Sequence, residues 1–180
     1  MESMSSGYSN YFASGSTDDV WGVASTGVGH AKIEPGVPYP PARHPMDHMF
    51  SWDKGRILQC FQVVYISQGL GQFESTAAGP VQIKAGTVFV LFPGVWHRYR
   101  PDLATGWTED WIELRGPSMT RLLQGEVITP LHPVHVVGVQ PSLLAIYEQC
   151  HRLAKDAPPE YVAMLGLLGM QILAQLTMLC

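Results

Sequence analysis

The chain has 180 residues, of which 46% are hydrophobic and 14% charged, and its formal net charge is −4 at pH 7. This length is sufficient for one domain with a hydrophobic core, and the low charge suggests a surface shared with a partner. The net charge is negative, and the sequence contains no basic stripe that could bind nucleic acid. We therefore do not expect these residues to bind DNA strongly.

The cysteines and the N-terminus indicate the compartment. Cys60, Cys150 and Cys180 are odd in number and far apart, so they imply no disulfide framework and favour a reducing cytoplasm. The first residues lack the basic start and the apolar run of a signal peptide. We therefore predict a cytoplasmic protein.

Most of the chain has the pattern of short β-strands. Residues 1–19 are rich in Ser, Gly, Asn and Asp and predict a flexible N-terminal arm. Residues 20–138 alternate β-forming runs with Gly and Pro turns, which is typical of a sandwich or barrel. Within this region, the first strong strand is predicted over 57–67 and a tight turn over 68–71. Residues 72–76 are predicted to return as the hairpin partner of that strand.

The remaining residues, 139–180, predict two helices over 141–154 and 161–180, separated by Pro158-Pro159. The second run is apolar enough to span a bilayer, but it has no flanking Lys or Arg at its end, so a buried helix is favoured. Its stripe at helical spacing predicts a dimer seam; the alternative is that the stripe packs on its own barrel. The stripe comprises Leu165, Leu168, Ile172, Leu176 and Leu179.

The second predicted helix has no Gly, Pro or basic last turn to end it, and the chain stops in mid-pattern at Cys180. We therefore expect a domain cut from a longer protein.

A longer motif lies in the middle of the chain. Residues 85–99 read Ala-Gly-Thr-x-Phe-x-Leu-Phe-Pro-Gly-x-x-His-x-Tyr. Residues 106–116 read Gly-Trp-x-x-x-Trp-Ile-x-x-x-Gly. Together these motifs resemble the N-terminal ligand-binding and dimerisation domain of AraC-family transcription regulators, over about residues 20–180. The turns between apolar strands place aromatic and polar side chains at the mouth of a small barrel.

The resemblance implies a mainly β fold with C-terminal α structure: a jelly-roll, cupin-like barrel followed by two helices that form a dimerisation element. It also implies a sugar or similar small effector inside the barrel, a homodimer, and a helix-turn-helix DNA-binding domain after Cys180. In the arabinose-binding member the N-terminal arm responds to ligand, and residues 1–19 are the candidate for such an arm.

Several ligand contacts carry over by the resemblance. The family's sugar-contacting tyrosine corresponds to Tyr99 and its stacking tryptophan to Trp111, two residue types that suit a sugar. Glu109 stands where the arabinose sensor has a pocket histidine, so the effector need not be arabinose. The pocket arginine corresponds loosely to Lys54 or Arg56, and a pocket threonine falls near His30 to Lys32.

An enzymatic barrel is the main alternative. Metal-dependent cupins use a His-x-His pair and a Glu on one hairpin with a third His on another, but here the first hairpin has no histidine. His97 is left alone at the last position, where it either lines the pocket or caps a turn. Two further histidine pairs fall in predicted loops, and we expect no metal there: His44 with His48, and His132 with His135.

We therefore predict a non-enzymatic sensor domain with no cofactor, no metal and no membrane partner. Ligand binding would alter the dimer or the arm, and thereby the placement of two attached DNA-binding domains. A metal-dependent cupin enzyme acting on a sugar, and an empty barrel that serves only dimerisation, are the alternatives.

Overall fold

The computed structural model describes residues 6–12, 18–40 and 51–180. In these parts of the chain the strands are β1 (Ser6–Tyr11), β2 (Ala24–Ile33), β3 (Arg56–Ile57), β4 (Phe61–Ser75), β5 (Gly79–Lys84), β6 (Thr87–Leu91), β7 (Trp96–Pro101), β8 (Trp107–Arg115) and β9 (Val134–Val136). The helices are α1 (Asp18–Trp21), α2 (Pro117–Gln124), α3 (Pro141–Asp156) and α4 (Tyr161–Leu179).

The strands form two antiparallel sheets that share one long strand. The larger sheet has the order β1-β2-β8-β4-β6-β9, and the smaller has the order β3-β7-β4-β5. The two sheets face each other as in a jelly-roll without closing into a barrel. The predicted class, mainly β with two C-terminal helices, is confirmed.

Strand β4 is continuous where a hairpin turn was predicted. It runs through 68–71 with an irregularity in its pairing between Ile66 and Gln68. Gly69 has φ of +85°, and a side chain there would collide with the backbone of Gly106. The Gly-rich segment therefore bends the strand from one sheet into the other, which is the role of a β-bulge. The prediction of a turn was wrong because glycine signals both turns and bulges.

The predicted flexible arm is partly an ordered strand. Ser6 to Tyr11 pair antiparallel with β2, from Ser6 opposite Lys32 to Tyr11 opposite Gly27. The prediction was wrong for this segment, because an unpaired edge of β2 can satisfy the backbone groups of a polar strand. Residues 1–5 and 13–17 lie outside the described residues.

Two hydrophobic cores lie on the two faces of the larger sheet. Between the sheets, buried side chains such as Val64, Phe73 and Phe89 form the interior core. On the outer face, Val63 and Ile112 pack against α3 and α4. Because successive strand residues point to opposite faces, β2, β4, β6 and β8 each contribute to both cores.

Helix α4 packs on its own sheet. Leu165, Leu168, Ile172 and Leu176 are at most 5% exposed, and 40% of Leu179 is exposed. The prediction that this stripe forms a dimer seam was wrong for the four buried residues. Gly166 and Gly169 lie on the same face, where added side chains would collide with Ala24 and Leu114. Two small residues thus let the helix approach the strands closely, which the hydrophobic pattern alone did not reveal.

By length and composition α4 could also cross a membrane, and 44% of its most apolar window is buried within the protein. Core helices of soluble proteins meet the same criterion, so this is weak evidence for a membrane span.

Candidate ligand-binding site

Strand β8 presents four large side chains to the interior. Trp107, Glu109, Trp111 and Glu113 alternate along it and are all at most 4% exposed. Asp110 points to the opposite face, where it contacts the helical side. Glu109 and Asp110 therefore face opposite ways, as the two-residue period of a strand requires.

The indole of Trp111 occupies space left by glycines on β2. A side chain at Gly29 would overlap the indole ring, and one at Gly27 would crowd both Trp111 and Tyr11. The ring of Tyr11, on β1, lies 5.5 Å from that of Trp111. The edge strand therefore contributes an aromatic side chain to the interior.

Arg56 is the centre of an interior hydrogen-bond network. Its Nη2 donates to the Tyr99 hydroxyl at 2.7 Å and to Gln62 Oε1 at 3.3 Å, and its Nε donates to His97 Nε2 at 3.3 Å. These bonds join β3, β4 and β7. The structure thus brings together Arg56, Tyr99 and His97, three of the residues that the sequence predicted.

His97 is held as a neutral imidazole. Burial, and then the positive charge of Arg56, lower its pKa from 6.5 to about 4. Its Nδ1 lies 3.0 Å from the carbonyl oxygen of Val95, so we assign the proton to Nδ1 and leave Nε2 as the acceptor for Arg56. His97 therefore both closes a turn and lines the interior, the two roles left open by the sequence.

Glu109 is the second electrostatic feature of the interior. Burial raises its pKa to about 7, although the Tyr39 hydroxyl and the charge of Arg56 act in the opposite direction. Tyr39 donates to the carboxyl group at 3.0 and 3.1 Å, and its ring packs against Tyr99 and Trp107 at centroid distances of 5.8 and 5.7 Å. Near neutral pH, Glu109 is therefore present in both its charged and neutral forms.

Besides Tyr11 of β1, the interior residues that sequence reasoning missed include Glu113, Tyr39 and Gln62. Glu113 accepts from Thr26 at 3.0 Å and from Gln62 at 3.4 Å. The alternation along β8 could have indicated Glu113, since it lies four residues beyond Glu109. Nothing in the proline-rich segment after β2 indicated that Tyr39 returns to the interior, and Gln62 carried no signal beyond its place in a strand.

The sequence of this chain matches the family described as "AraC-like ligand binding domain" over residues 35–173. The chain belongs to that family. The matched range contains β3 to β9, α2 and α3, and it ends within α4. It lies within the range of about 20–180 over which the central motifs indicated the resemblance.

Solved structures similar to this AraC-like domain are distant. The chain is similar to YhaK from Escherichia coli, with 16% identity and a TM-score of 0.43 over 62% of this chain and 46% of that one. It is also similar to a cupin-like protein from Thermotoga maritima, with 14% identity and a TM-score of 0.38 over 76% and 80% of the two chains. A variant of the oxalate decarboxylase OxdC from Bacillus subtilis is similar with 10% identity and a TM-score of 0.37, over 53% of this chain and 22% of that one. The matches thus span less than half of the YhaK and OxdC chains. No functionally described protein shows significant sequence similarity to the chain.

The structure of the AraC-like domain does not bring Lys54, His30 or Lys32 into the interior. Lys54 is exposed in the loop before β3, where its carbonyl oxygen accepts from Trp96 at 2.8 Å. His30 and Lys32 point to the outer face of β2, because they share the even-numbered register of buried Val28. The expected pocket role of these three residues has no support in their placement.

A second polar group, the outer-face cluster, consists of His30, Asp110 and His151. Both histidines lie 2.8 Å from Asp110 Oδ1, through His30 Nδ1 and His151 Nε2. Burial would raise the pKa of Asp110, but hydrogen bonds from His151 and His30 outweigh it and hold the pKa below its usual range. The hydrogen bond to Asp110 raises the pKa of His30.

Among the described residues, a small recess lies beside His97. Its cavity volume is about 10 Å³, and it is bounded by residues that include Phe73, Leu91 and Pro133. This is about the space of one water molecule, whereas pockets for small molecules usually measure about 300–1,000 Å³. The recess by itself therefore does not accommodate a sugar-sized ligand. His132 and His135 flank Pro133, which bounds this recess, whereas His44 and His48 lie outside the described residues.

Proposed function

We propose that this domain senses a small sugar or related polyol, such as a pentose, through its interior residues and performs no chemistry on it. The observation that carries the proposal is the buried network of Arg56 and Tyr99, which lies beside the Glu109 carboxyl group and the aromatic rings of β8. Donors, acceptors and flat apolar rings together suit a molecule with many hydroxyl groups and C–H faces.

Charge favours a neutral effector over an acidic one. The interior holds two carboxyl groups, Glu109 and Glu113, and one guanidinium, Arg56, which already donates to three neighbours. An anionic ligand would meet like charge in a medium of low dielectric constant, whereas a hydroxyl group can donate to either carboxyl group. Sugar acids should accordingly bind more weakly than the corresponding neutral sugars.

Tyr39 occupies the position that a ligand hydroxyl would take. Its phenol donates to Glu109 and its ring covers Tyr99 and Trp107. We infer that the effector exchanges with this side chain. In the free domain Tyr39 supplies the hydrogen bond to Glu109, and in the bound domain a ligand hydroxyl supplies it and Tyr39 is released. Binding would then change the segment around Tyr39, and not only the interior.

Strand β8 connects the site to the helices. Its interior face carries Glu109 and Trp111, and its outer face carries Leu114, against which Gly169 of α4 packs, and Asp110, which contacts His151 of α3. A shift of β8 on binding would move both helices. We propose that the helices transmit this change to a homodimer partner through the exposed side of α4, and from there to an attached DNA-binding domain in a cytoplasmic regulator.

The proposal is tested by following the thermal unfolding of the chain with neutral pentoses, hexoses, polyols and sugar acids. A ligand at 100 times its Kd stabilises the folded state by about 2.7 kcal/mol. For a domain of this size that corresponds to a rise in Tm of roughly 5–10 °C. At least one neutral sugar or polyol should give such a rise, and it should also change the fluorescence of the buried tryptophans.

Variants distinguish specific binding from general stabilisation. Tyr99→Phe and Glu109→Gln keep the shape of the interior while removing a hydroxyl or a charge, and each should weaken binding about tenfold or more, equivalent to 1.4 kcal/mol. Tyr161→Phe, on α4 and outside the interior, is the matched control and should bind as the wild type does. Sugar-dependent stabilisation that is the same in all three variants would contradict the proposal, as would no stabilisation by any compound. Turnover of a bound sugar would instead support the enzyme alternative.

A further inference from the structure

The outer-face cluster lies on the far side of the larger sheet from the interior network, and the sensing proposal does not use it. Its three ligand atoms are one carboxylate oxygen, Asp110 Oδ1, and two imidazole nitrogens, His30 Nδ1 and His151 Nε2. All three lie within 4.8 Å of one another. Among the described residues, no other group of three histidine, cysteine or acidic side chains comes together in this way.

We propose that His30, Asp110 and His151 form a binding site for a divalent transition metal ion of the Zn²⁺ type, which fastens α3 to the outer face of the sheet. Two imidazoles and one carboxylate are a donor set that Zn²⁺ accepts, with solvent as the fourth ligand. The inference is independent of the sensing proposal, since it concerns other residues on the opposite face.

The geometry is close to that required. Ligands about 2.05 Å from a tetrahedral Zn²⁺ lie about 3.3 Å from one another. The Asp110 oxygen is now 2.8 Å from each nitrogen, so these two separations would widen by about 0.5 Å. The two nitrogens lie within 4.8 Å of each other and would have to be about 3.3 Å apart. The ligands come from three different elements, β2, β8 and α3, so each side chain can adjust separately.

Neighbouring residues hold the ligands in place. His30 and Asp110 lie directly opposite each other in the pairing of β2 with β8. On α3, Tyr147 stacks on His151 with its hydroxyl anchored to the carbonyl of Val63 at 3.1 Å. Tyr8 of β1 packs edge-on against His151 at a centroid distance of 5.2 Å. Such support preorients metal ligands and reduces the cost of ordering them.

The site is accessible from one side only. The side chain of His30 is 35% exposed, whereas those of Asp110 and His151 are 7% and 16% exposed. A metal ion can approach past His30 and exchange its water for the two more buried ligands. The remaining exposed side leaves room for a solvent ligand.

The test uses the full chain, stripped with a chelator and then titrated with Zn²⁺ or Co²⁺ by calorimetry and visible spectroscopy. We expect one ion per chain, a Co²⁺ spectrum typical of four- or five-coordinate nitrogen and oxygen ligands, and a higher Tm in the loaded protein. Loss of a partner that merely orients a ligand costs about 10–100-fold in metal affinity. His30→Gln and His151→Gln each remove a ligand itself, so each should lower the affinity by about 100-fold or more.

A competing donor pair provides the control. Cys180 Sγ lies 3.4 Å from His135 Nδ1, so the double variant Cys180→Ser/His135→Gln tests adventitious binding there. That variant should bind metal as the wild type does. Should a cluster variant fold poorly, X-ray absorption of the Zn²⁺-loaded wild type still decides, because the site requires two imidazoles and no sulfur. The proposal is overturned by the absence of stoichiometric binding, by a sulfur ligand, or by unchanged affinity in His30→Gln and His151→Gln.

Discussion

Protonation of His97 should destabilise the folded domain as the pH falls below its ordinary pKa of 6.5. The imidazole is 1% exposed, and in the folded state its pKa is lowered to about 4 by burial and by the charge of Arg56. Between pH 6.5 and pH 4 the unfolded chain therefore binds a proton that the folded chain resists. The contribution of neutral His97 is fully present above pH 6.5 and is progressively lost toward pH 4.

The expected size follows from the difference in pKa. A lowering of about 2.5 pH units, at 1.36 kcal/mol per unit, corresponds to a loss of about 3 kcal/mol in the free energy of unfolding at low pH. Glu109 works against this trend, since its raised pKa of about 7 makes the folded state take up a proton more readily than the unfolded state. The effect of His97 is therefore measured as a difference between proteins.

Urea unfolding of the wild type and of His97→Gln between pH 7 and pH 4.5 isolates the contribution. Glutamine can still donate to the Val95 carbonyl and accept from Arg56, but it does not titrate. The wild type should lose about 2–3 kcal/mol more than the variant over this range. His132→Gln, which changes an exposed histidine, should follow the wild type. Equal losses in the wild type and His97→Gln, within about 0.5 kcal/mol, would refute the reasoning.

Two further predictions concern packing. Gly29→Ala places a methyl group against the Trp111 ring, so it should destabilise the fold by about 1–3 kcal/mol and alter the tryptophan fluorescence, and an unchanged spectrum and stability would contradict the observed packing. Leu168→Ala removes a buried side chain of α4 and should cost about 2–5 kcal/mol in urea unfolding. Leu103→Ala, at an exposed position outside the helices, should change stability by less than about 0.5 kcal/mol. A cost of Leu168→Ala that depends on protein concentration would indicate a subunit seam instead.

Local patterns were sufficient for the strands and helices, and the family resemblance was sufficient for part of the site. The turn-rich β segments predicted the sheets, and the apolar periodicity predicted α3 and α4 to within about two residues of their ends. The resemblance of the central motifs to the AraC-family domain implied that Tyr99 and Trp111 are interior residues, and both are buried. The strands and helices themselves depend on period and on side-chain type, which a single sequence carries.

Predictions failed where one pattern is compatible with two partners. An apolar stripe on a helix does not specify whether it meets its own sheet or another chain, and Gly166 and Gly169 decided for the sheet. A Gly-rich stretch is compatible with either a turn or a bulge. The pairing of β4 with both β7 and β8 shows that this one forms a bulge within a continuous strand.

By itself, the sequence determined which residues form strands and helices and which motif surrounds the interior, since these depend on contacts between near neighbours in the chain. Only the tertiary structure decided that Tyr39 covers Glu109, that His30 faces away from the interior, and that His30, Asp110 and His151 converge. Each of these contacts joins residues at least 41 positions apart, and such distances are set by strand register and helix docking, which no local pattern encodes.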